Sequence, residues 1–284
     1  MTCFLLMYFL IFPPRIHNLQ ARKGLELLRQ AGTEKMNFAG GEPFLHKRFL
    51  GELTKICHEL GMSVSIISNG SLITPEWMDQ YGKYVDIIGV SVDSFDPLTN
   101  ALIGRGGDAN NQHVQRVLDV ASMCDKYDIS FKMNTVVCTL NWKEDMSDFV
   151  HKINPKRWKV FQVLVLEDEN SGGLGELRDA RPYQISNDQF MSFVERHKRG
   201  FPQLIAEPND LMQNSYLLLD ERMCFLDSSS GGKKPSESIL DVGVERVSAQ
   251  SSFDFEKFQE RCDIFEWTRE RGSKCSSDDI GNSG

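Results

Sequence analysis

Ala39-Gly40-Gly41-Glu42-Pro43 is the stretch whose residue types are best suited to chemistry. It directly follows Met36-Asn37-Phe38, which reads as a strand. Two glycines let a backbone approach a ligand closely. Glu42 offers a carboxylate able to hold an ammonium group, and Pro43 fixes the exit from the loop. A lone Gly-Gly pair is more often only a tight strand-to-helix turn, so the neighbouring residues decide. Lys132 and Asn134 lie two apart on an apolar segment, so they share one face of a strand while Phe131, Met133 and Thr135 take the other. A lysine in such a segment is costly to bury without an anion. Lys159 is placed in the same way within Trp158–Leu166. Arg105, beside Gly104, Gly106 and Gly107, has the backbone freedom of an anion-binding loop. Solvated edge-strand lysines and a solvated loop arginine are the plain alternatives, and at this level they stay open.

The elements that must position these residues alternate along the chain. Apolar, β-branched runs predict strands at Lys35–Phe38, Ser63–Ser68, Val85–Val92, Ile129–Val137 and Trp158–Leu166. Helical spacing of apolar residues predicts helices over Arg22–Arg29, Phe49–Leu60 and Val114–Cys124, with Gly32 and Gly61 as stops. Strand, helix, strand, repeated, implies right-handed crossovers and a parallel sheet. Gly40-Gly41-Glu42, Ser68-Asn69-Gly70-Ser71 and Asp93-Ser94 all fall at predicted strand ends, where α/β proteins build their sites. Beyond Asn170 the pattern loosens. Asn187–Arg199 reads as a helix, Ser215–Leu226 as a mixed segment, Ser228–Ser238 as a polar loop, and Gly272–Gly284 as a disordered tail.

The chain has 284 residues and a formal net charge of −8, with a pI near 5.3. That charge argues against DNA or RNA as a partner. The seven cysteines are scattered and odd in number, which argues against a secreted disulfide framework and for a reducing, cytoplasmic setting. Cys57 and Cys124 fall on apolar helix faces and read as core. Met1–Phe12 is strongly apolar but shorter than the roughly 20 residues that span a bilayer. It reads as a weak membrane-associating segment, a buried strand, or sequence foreign to the domain.

Seven motifs in order, AGGEPFL (Ala39–Leu45), ISNGSLI (Ile67–Ile73), VSVDSFD (Val90–Asp96), LIGRG (Leu102–Gly106), FKMNTVV (Phe131–Val137), RWKVFQ (Arg157–Gln162) and SILDVGVE (Ser238–Glu245), carry a family resemblance. From about Gln20 to about Val247 the chain resembles the viperin-like radical S-adenosylmethionine (SAM) proteins, the antiviral nucleotide dehydratases. The GGEP loop alone marks only the wider radical SAM superfamily; the IGRG, FKMN and WKVFQ stretches point to this branch. The resemblance implies a partial (β/α)6 barrel over residues 20–247. Residues 1–19 would be an aberrant apolar start, and residues 248–284 a C-terminal segment with a polar tail. It implies that Gly40, Gly41 and Glu42 hold the methionine amino group of SAM, with Ser68, Asn69 and Ser91 lining the same pocket. It implies that Arg105, Lys132, Asn134, Arg157 and Lys159 bind a nucleoside triphosphate, CTP in this family, and that Tyr216 is a catalytic residue near the ribose. The implied reaction converts CTP to 3′-deoxy-3′,4′-didehydro-CTP through a 5′-deoxyadenosyl radical. The family's setting is the cytoplasm, at the cytosolic face of the endoplasmic reticulum.

The sequence also departs from that pattern. The family binds a [4Fe–4S] cluster through Cys-x3-Cys-x2-Cys, placed just after the first strand. Here the region before the Arg22–Arg29 helix contains Cys3 alone, and no metal ligands can be assigned. The family's tryptophan-containing tail, used with iron–sulfur assembly partners, has no counterpart, because the last tryptophan is Trp267. These departures imply a truncated or mis-started enzyme, missing its first strand and cluster loop. The competing expectations are a non-catalytic SAM- and nucleotide-binding protein and an antiviral scaffold.

Overall fold

The computed structural model describes residues 6–10, 18–105, 112–166, 170–173, 176, 179–209, 217–227 and 234–248. Its frame is a single ten-stranded sheet. Seven parallel strands run in sequence order: β1 (Leu6–Leu10), β2 (Lys35–Ala39), β3 (Ser63–Ser68), β4 (Ile87–Ser91), β5 (Ser130–Val137), β6 (Arg157–Gln162) and β7 (Leu204–Glu207). On the other side of β1 lies β8 (Leu218–Leu219), parallel to it, followed by antiparallel β9 (Cys224–Asp227) and β10 (Lys234–Ser238). The sheet ends at β7 and β10, so among the described residues the barrel is open.

The first strand position is filled. Leu6–Leu10 pairs with β2 in register Leu6↔Lys35 to Leu10↔Ala39 and with β8 on its other edge. The expectation of a missing strand is thereby corrected, and of the three readings of the apolar start the strand is the one seen. A strand with neighbours on both sides has its backbone groups satisfied within the sheet, as an apolar segment needs. No described helix is long and apolar enough to cross a membrane.

The helices pack on one face of the sheet. They include α1 (Asn18–Gln30), α2 (Lys47–Glu59), α3 (Pro75–Tyr81), α4 (Pro97–Ile103), α5 (Gln112–Lys126), α6 (Ser147–Ile153) and α7 (Asn187–Lys198). Their apolar stripes, Leu25 and Leu28 on α1 or Val117 and Cys124 on α5, meet Met36, Phe38, Val64, Ile66, Val90, Met133 and Trp158 of the strands in one core. Burial of this face is what fixes register, since a one-residue slip would turn every side chain over. Several helices begin on explicit caps: Thr74 for α3, Asp96 for α4 and a Ser186–Gln189 capping box for α7. β6 is shorter than its apolar run, ending at Gln162 rather than Leu166, and β10 occupies part of the predicted loop Ser228–Ser238.

His197 of α7 supports the core from inside it. The ring is fully buried, Nδ1 lies 2.8 Å from the Phe193 carbonyl, and Nε2 accepts the Met146 N–H at 2.9 Å. Those partners require the neutral Nδ1–H form. Burial is the larger influence and lowers the pKa, although exposed Asp145 near Nε2 pulls the other way. The unfolded chain therefore binds the proton more readily. Stability from this residue is complete above the ordinary histidine value of about 6.5 and is lost as pH falls through the folded-state value. His113, also lowered by burial, adds to the same trend. Thermal melts from pH 7.5 downwards are expected to fall less steeply in His197→Gln than in the parent; equal slopes would refute the assignment.

Candidate functional site

The loops that follow β2 and β3 come together. Gly40 (φ 88°) and Gly41 (φ 54°) carry the chain off β2 through the left-handed region. A Cβ on Gly41 would meet nothing within 4 Å, so the loop's outer side is open. Glu42 is buried and turned back across the next loop. Its Oε1 accepts from the Phe44 N–H (3.1 Å) and from Ser68 Oγ (2.7 Å), and its Oε2 accepts from the Asn69 N–H (2.7 Å). Ser68 Oγ also accepts from the Gly70 N–H, and Asn69 Oδ1 from the Ser71 N–H. Gly40, Gly41, Glu42, Ser68 and Asn69 thus form one knot at the carboxyl ends of β2 and β3. A carboxylate has about four lone-pair sites, so three donors leave Glu42 room for one more, such as an ammonium.

A second group lies on the inner face of the sheet, opposite the helices. Register places Lys132 beside Gly89 and Arg157, and one level nearer the mouth Ser91, Asn134 and Lys159 side by side. Register thus sets Ser91 next to Asn134, at the carboxyl end of β4. Lys132, Arg157 and Lys159 are all buried. Adjacent strands are about 4.8 Å apart, so Lys132 and Arg157 set two cations next to each other. Gly89 gives the set its space. A Cβ there would sit 2.5 Å from Ile67 Cδ1 and 3.7 Å from the Lys132 stem. Asn134 Oδ1 and both amide atoms of Asn37, on the same face, are buried with no hydrogen-bond partner among the described residues. Unsatisfied buried polar atoms are rare, and here they face a basic interior.

Arg105 stands apart from that set. It follows α4 beyond Gly104 (φ 86°), and its Nε is held by Asp93 Oδ2 at 2.5 Å, while Asp93 Oδ1 accepts from the Val136 N–H. Asp93, Gly104, Val136, Cys138, Val163 and Tyr183 line a cavity of about 420 Å³ at the mouth of β4–β6, a size that suits a small-molecule ligand. Glu144 braces the rim. It accepts from Ser94 Oγ (2.6 Å) and the Phe95 N–H (2.9 Å), and its burial raises its pKa. Tyr216 lies outside the described residues, as do Cys3, Cys262 and Cys275.

The described residues do not fit an iron–sulfur cluster. Cys57 of α2, Cys124 of α5, Cys138 just past β5 and Cys224 of β9 are buried and in no disulfide, and burial pushes up the thiols of Cys57, Cys138 and Cys224, against the thiolate form that ligation needs. No group of three metal-ligating side chains occurs among the described residues.

The family model described as the Radical SAM superfamily matches residues 9–152. The S-adenosylmethionine-dependent nucleotide dehydratase RSAD2 of Oncorhynchus mykiss is 46% identical over 254 residues, covering 88% of this chain and 72% of that protein. The chain belongs to this nucleotide dehydratase family of radical SAM proteins. RSAD2 of Danio rerio is 47% identical over 88% of this chain and 70% of its own length, and the S-adenosylmethionine-dependent nucleotide dehydratase of Flammeovirga pacifica is 35% identical over 86% and 81%. The fold agrees with solved structures. Streptococcus suis SuiB bound to S-adenosylmethionine superposes with a TM-score of 0.61 over 97% of this chain and 70% of that one at 14% identity. Histidine-tagged anSMEcpe with bound AdoMet gives 0.63 over 90% and 79% at 12% identity. The chain is thus a member of an enzyme family and has the α/β frame of radical SAM proteins.

One residue escaped the sequence reading: Glu207 of β7, buried, forms an ion pair with Lys159 Nζ. Asp93, visible as a strand-end polar residue, holds Arg105. Nothing in the sequence paired Glu207 with a lysine 48 positions away.

Proposed function

We propose that the chain binds SAM and CTP at these two adjoining sites and serves the family's conversion of CTP to 3′-deoxy-3′,4′-didehydro-CTP in antiviral defence. The observation that carries the reading is the buried row of Lys132, Arg157 and Lys159 on the inner face of the sheet. Three cations in one dry interior suit a polyanion, and a triphosphate brings several oxygens to them at once. Asn134, beside Lys159, adds an amide for the sugar or phosphate. Arg105, released from Asp93 or reaching past it, closes the mouth. The Glu42 carboxylate takes the SAM ammonium. The loop glycines let the methionine backbone lie close, and Ser68, Asn69 and Ser91 fill out its pocket. Tyr216 is assigned to the ribose by resemblance alone. The barrel's contribution is orientation and exclusion of water.

SAM bound to a reduced cluster supplies a 5′-deoxyadenosyl radical in this family. No described residue set holds that cluster, so the roles assigned here stop at binding and orientation. That mismatch favours a second reading, a SAM- and nucleotide-binding protein without radical chemistry. Calorimetric titration of each ligand, with iron analysis after anaerobic reconstitution, separates the two. Binding of both with about four iron atoms per chain supports the enzyme, binding without iron supports the second reading, and binding of neither ligand refutes both. By the same resemblance, the protein works in the cytoplasm, at the cytosolic face of the endoplasmic reticulum.

A further inference from the structure

We propose that Glu207 is a built-in counter-charge of the anion site: it holds Lys159 in the barrel interior and limits how tightly a polyphosphate binds there. The proposal rests on the nucleoside triphosphate reading above. Glu207 is the last residue of β7 and only 1% exposed, and its carboxylate is paired with the ammonium of Lys159, itself 5% exposed. Register sets Glu207 beside Phe161, two residues nearer the mouth than Lys159. The ammonium is thereby drawn towards the mouth, 6.0 Å from the Phe161 ring centroid.

Two consequences follow from this placement. Burying a lysine is expensive, and a carboxylate partner makes it tolerable before any ligand arrives. The same carboxylate repels whatever anion Lys159 attracts, and in a dry interior that repulsion is only weakly screened. Glu207 therefore trades affinity for the stability of the empty protein. Arg105 with Asp93 repeats the device at the mouth, where a cation that the sequence marks for phosphate already carries a buried acid. A glutamate that only braced the fold would behave differently: its loss would lower stability and leave affinity unchanged or reduced.

Glu207→Gln keeps the shape and an acceptor oxygen for Lys159 while removing the charge. Inorganic triphosphate and CTP are titrated into the parent, Glu207→Gln, Glu207→Asp and Glu26→Gln at pH 7, and melting is followed with and without triphosphate. Glu26 belongs to an exposed ion pair with Arg22 and controls for net charge. Glu207→Gln is expected to bind both probes about tenfold more tightly, to melt lower alone, and to gain more from added triphosphate. Glu207→Asp and Glu26→Gln are expected to bind as the parent does. Unchanged or weaker binding by folded Glu207→Gln overturns the role, as does equal tightening by Glu26→Gln. If Glu207→Gln is unfolded alone, triphosphate must restore its melting transition; failure to do so overturns the role. A parent that binds neither probe refutes the nucleotide reading itself, whereas a binding parent with an unaffected Glu207→Gln removes only this proposal.

Discussion

Alanine at both Lys132 and Lys159 is expected to weaken CTP binding by at least about 100-fold, because each charge-assisted contact to phosphate contributes roughly 1.5–3 kcal/mol. The two side chains reach the interior from neighbouring strands and from successive levels of it, so they grip different parts of one polyphosphate. Their effects should accumulate unless Arg157 takes over both contacts. Lys159→Ala has a second cost, since it breaks the buried ion pair with Glu207, and breaking such a pair costs about 3–5 kcal/mol. Lys132→Ala leaves that pair intact. It is therefore the cleaner single variant, with a loss of about tenfold expected from one such contact. Calorimetry on samples with parental circular dichroism measures both. Parental affinity in the double variant would exclude these lysines from the anion site.

Glu42→Gln is expected to lower SAM affinity by about 100-fold, through two effects of roughly 1–3 kcal/mol each. The first is structural. Both Glu42 oxygens accept hydrogen bonds, from Phe44 and Ser68 on one side and from Asn69 on the other. An amide must turn its NH2 towards one of these donors, which loosens the tie between the two loops. The second is the loss of the charge opposite the methionine ammonium. 5′-Methylthioadenosine, which has no amino acid group, separates the two effects. Its affinity should fall less than that of SAM. Equal losses for both ligands would make Glu42 a loop brace only, and no loss for SAM would remove it from the site.

Much of the frame was legible in the sequence because its strands are buried on both faces. Ser63–Ser68 was delimited to the residue, since alternating Val64, Ile66 and serines end at a turn glycine. β7 was missed because Leu204–Glu207 is too short for a period to show, and its last residue is a carboxylate that only a partner strand explains. β10 reads as a loop for a related reason. An edge strand carries lysine, proline and polar residues, as Lys234–Ser238 does, and those are also the marks of a loop. The Gly40-Gly41-Glu42 knot was legible because its chemistry is local to two strand ends. The anion row was legible in part: the face shared by Lys132 and Asn134 follows from spacing alone, but the lateral match of Lys132 with Arg157 depends on register. Arg105 read as the cation of an anion-binding loop, without its acid, because Asp93 lies twelve residues away on the other side of α4.

The central claim is that the buried cations on β5 and β6 recognise a polyphosphate. Paired titrations of CTP and cytidine at two salt concentrations test it most directly. CTP is expected to bind at least about 100-fold more tightly than cytidine, with the excess confined to the triphosphate contacts and abolished in the Lys132, Lys159 double variant. Equal affinity for the nucleoside and the nucleotide would contradict the account.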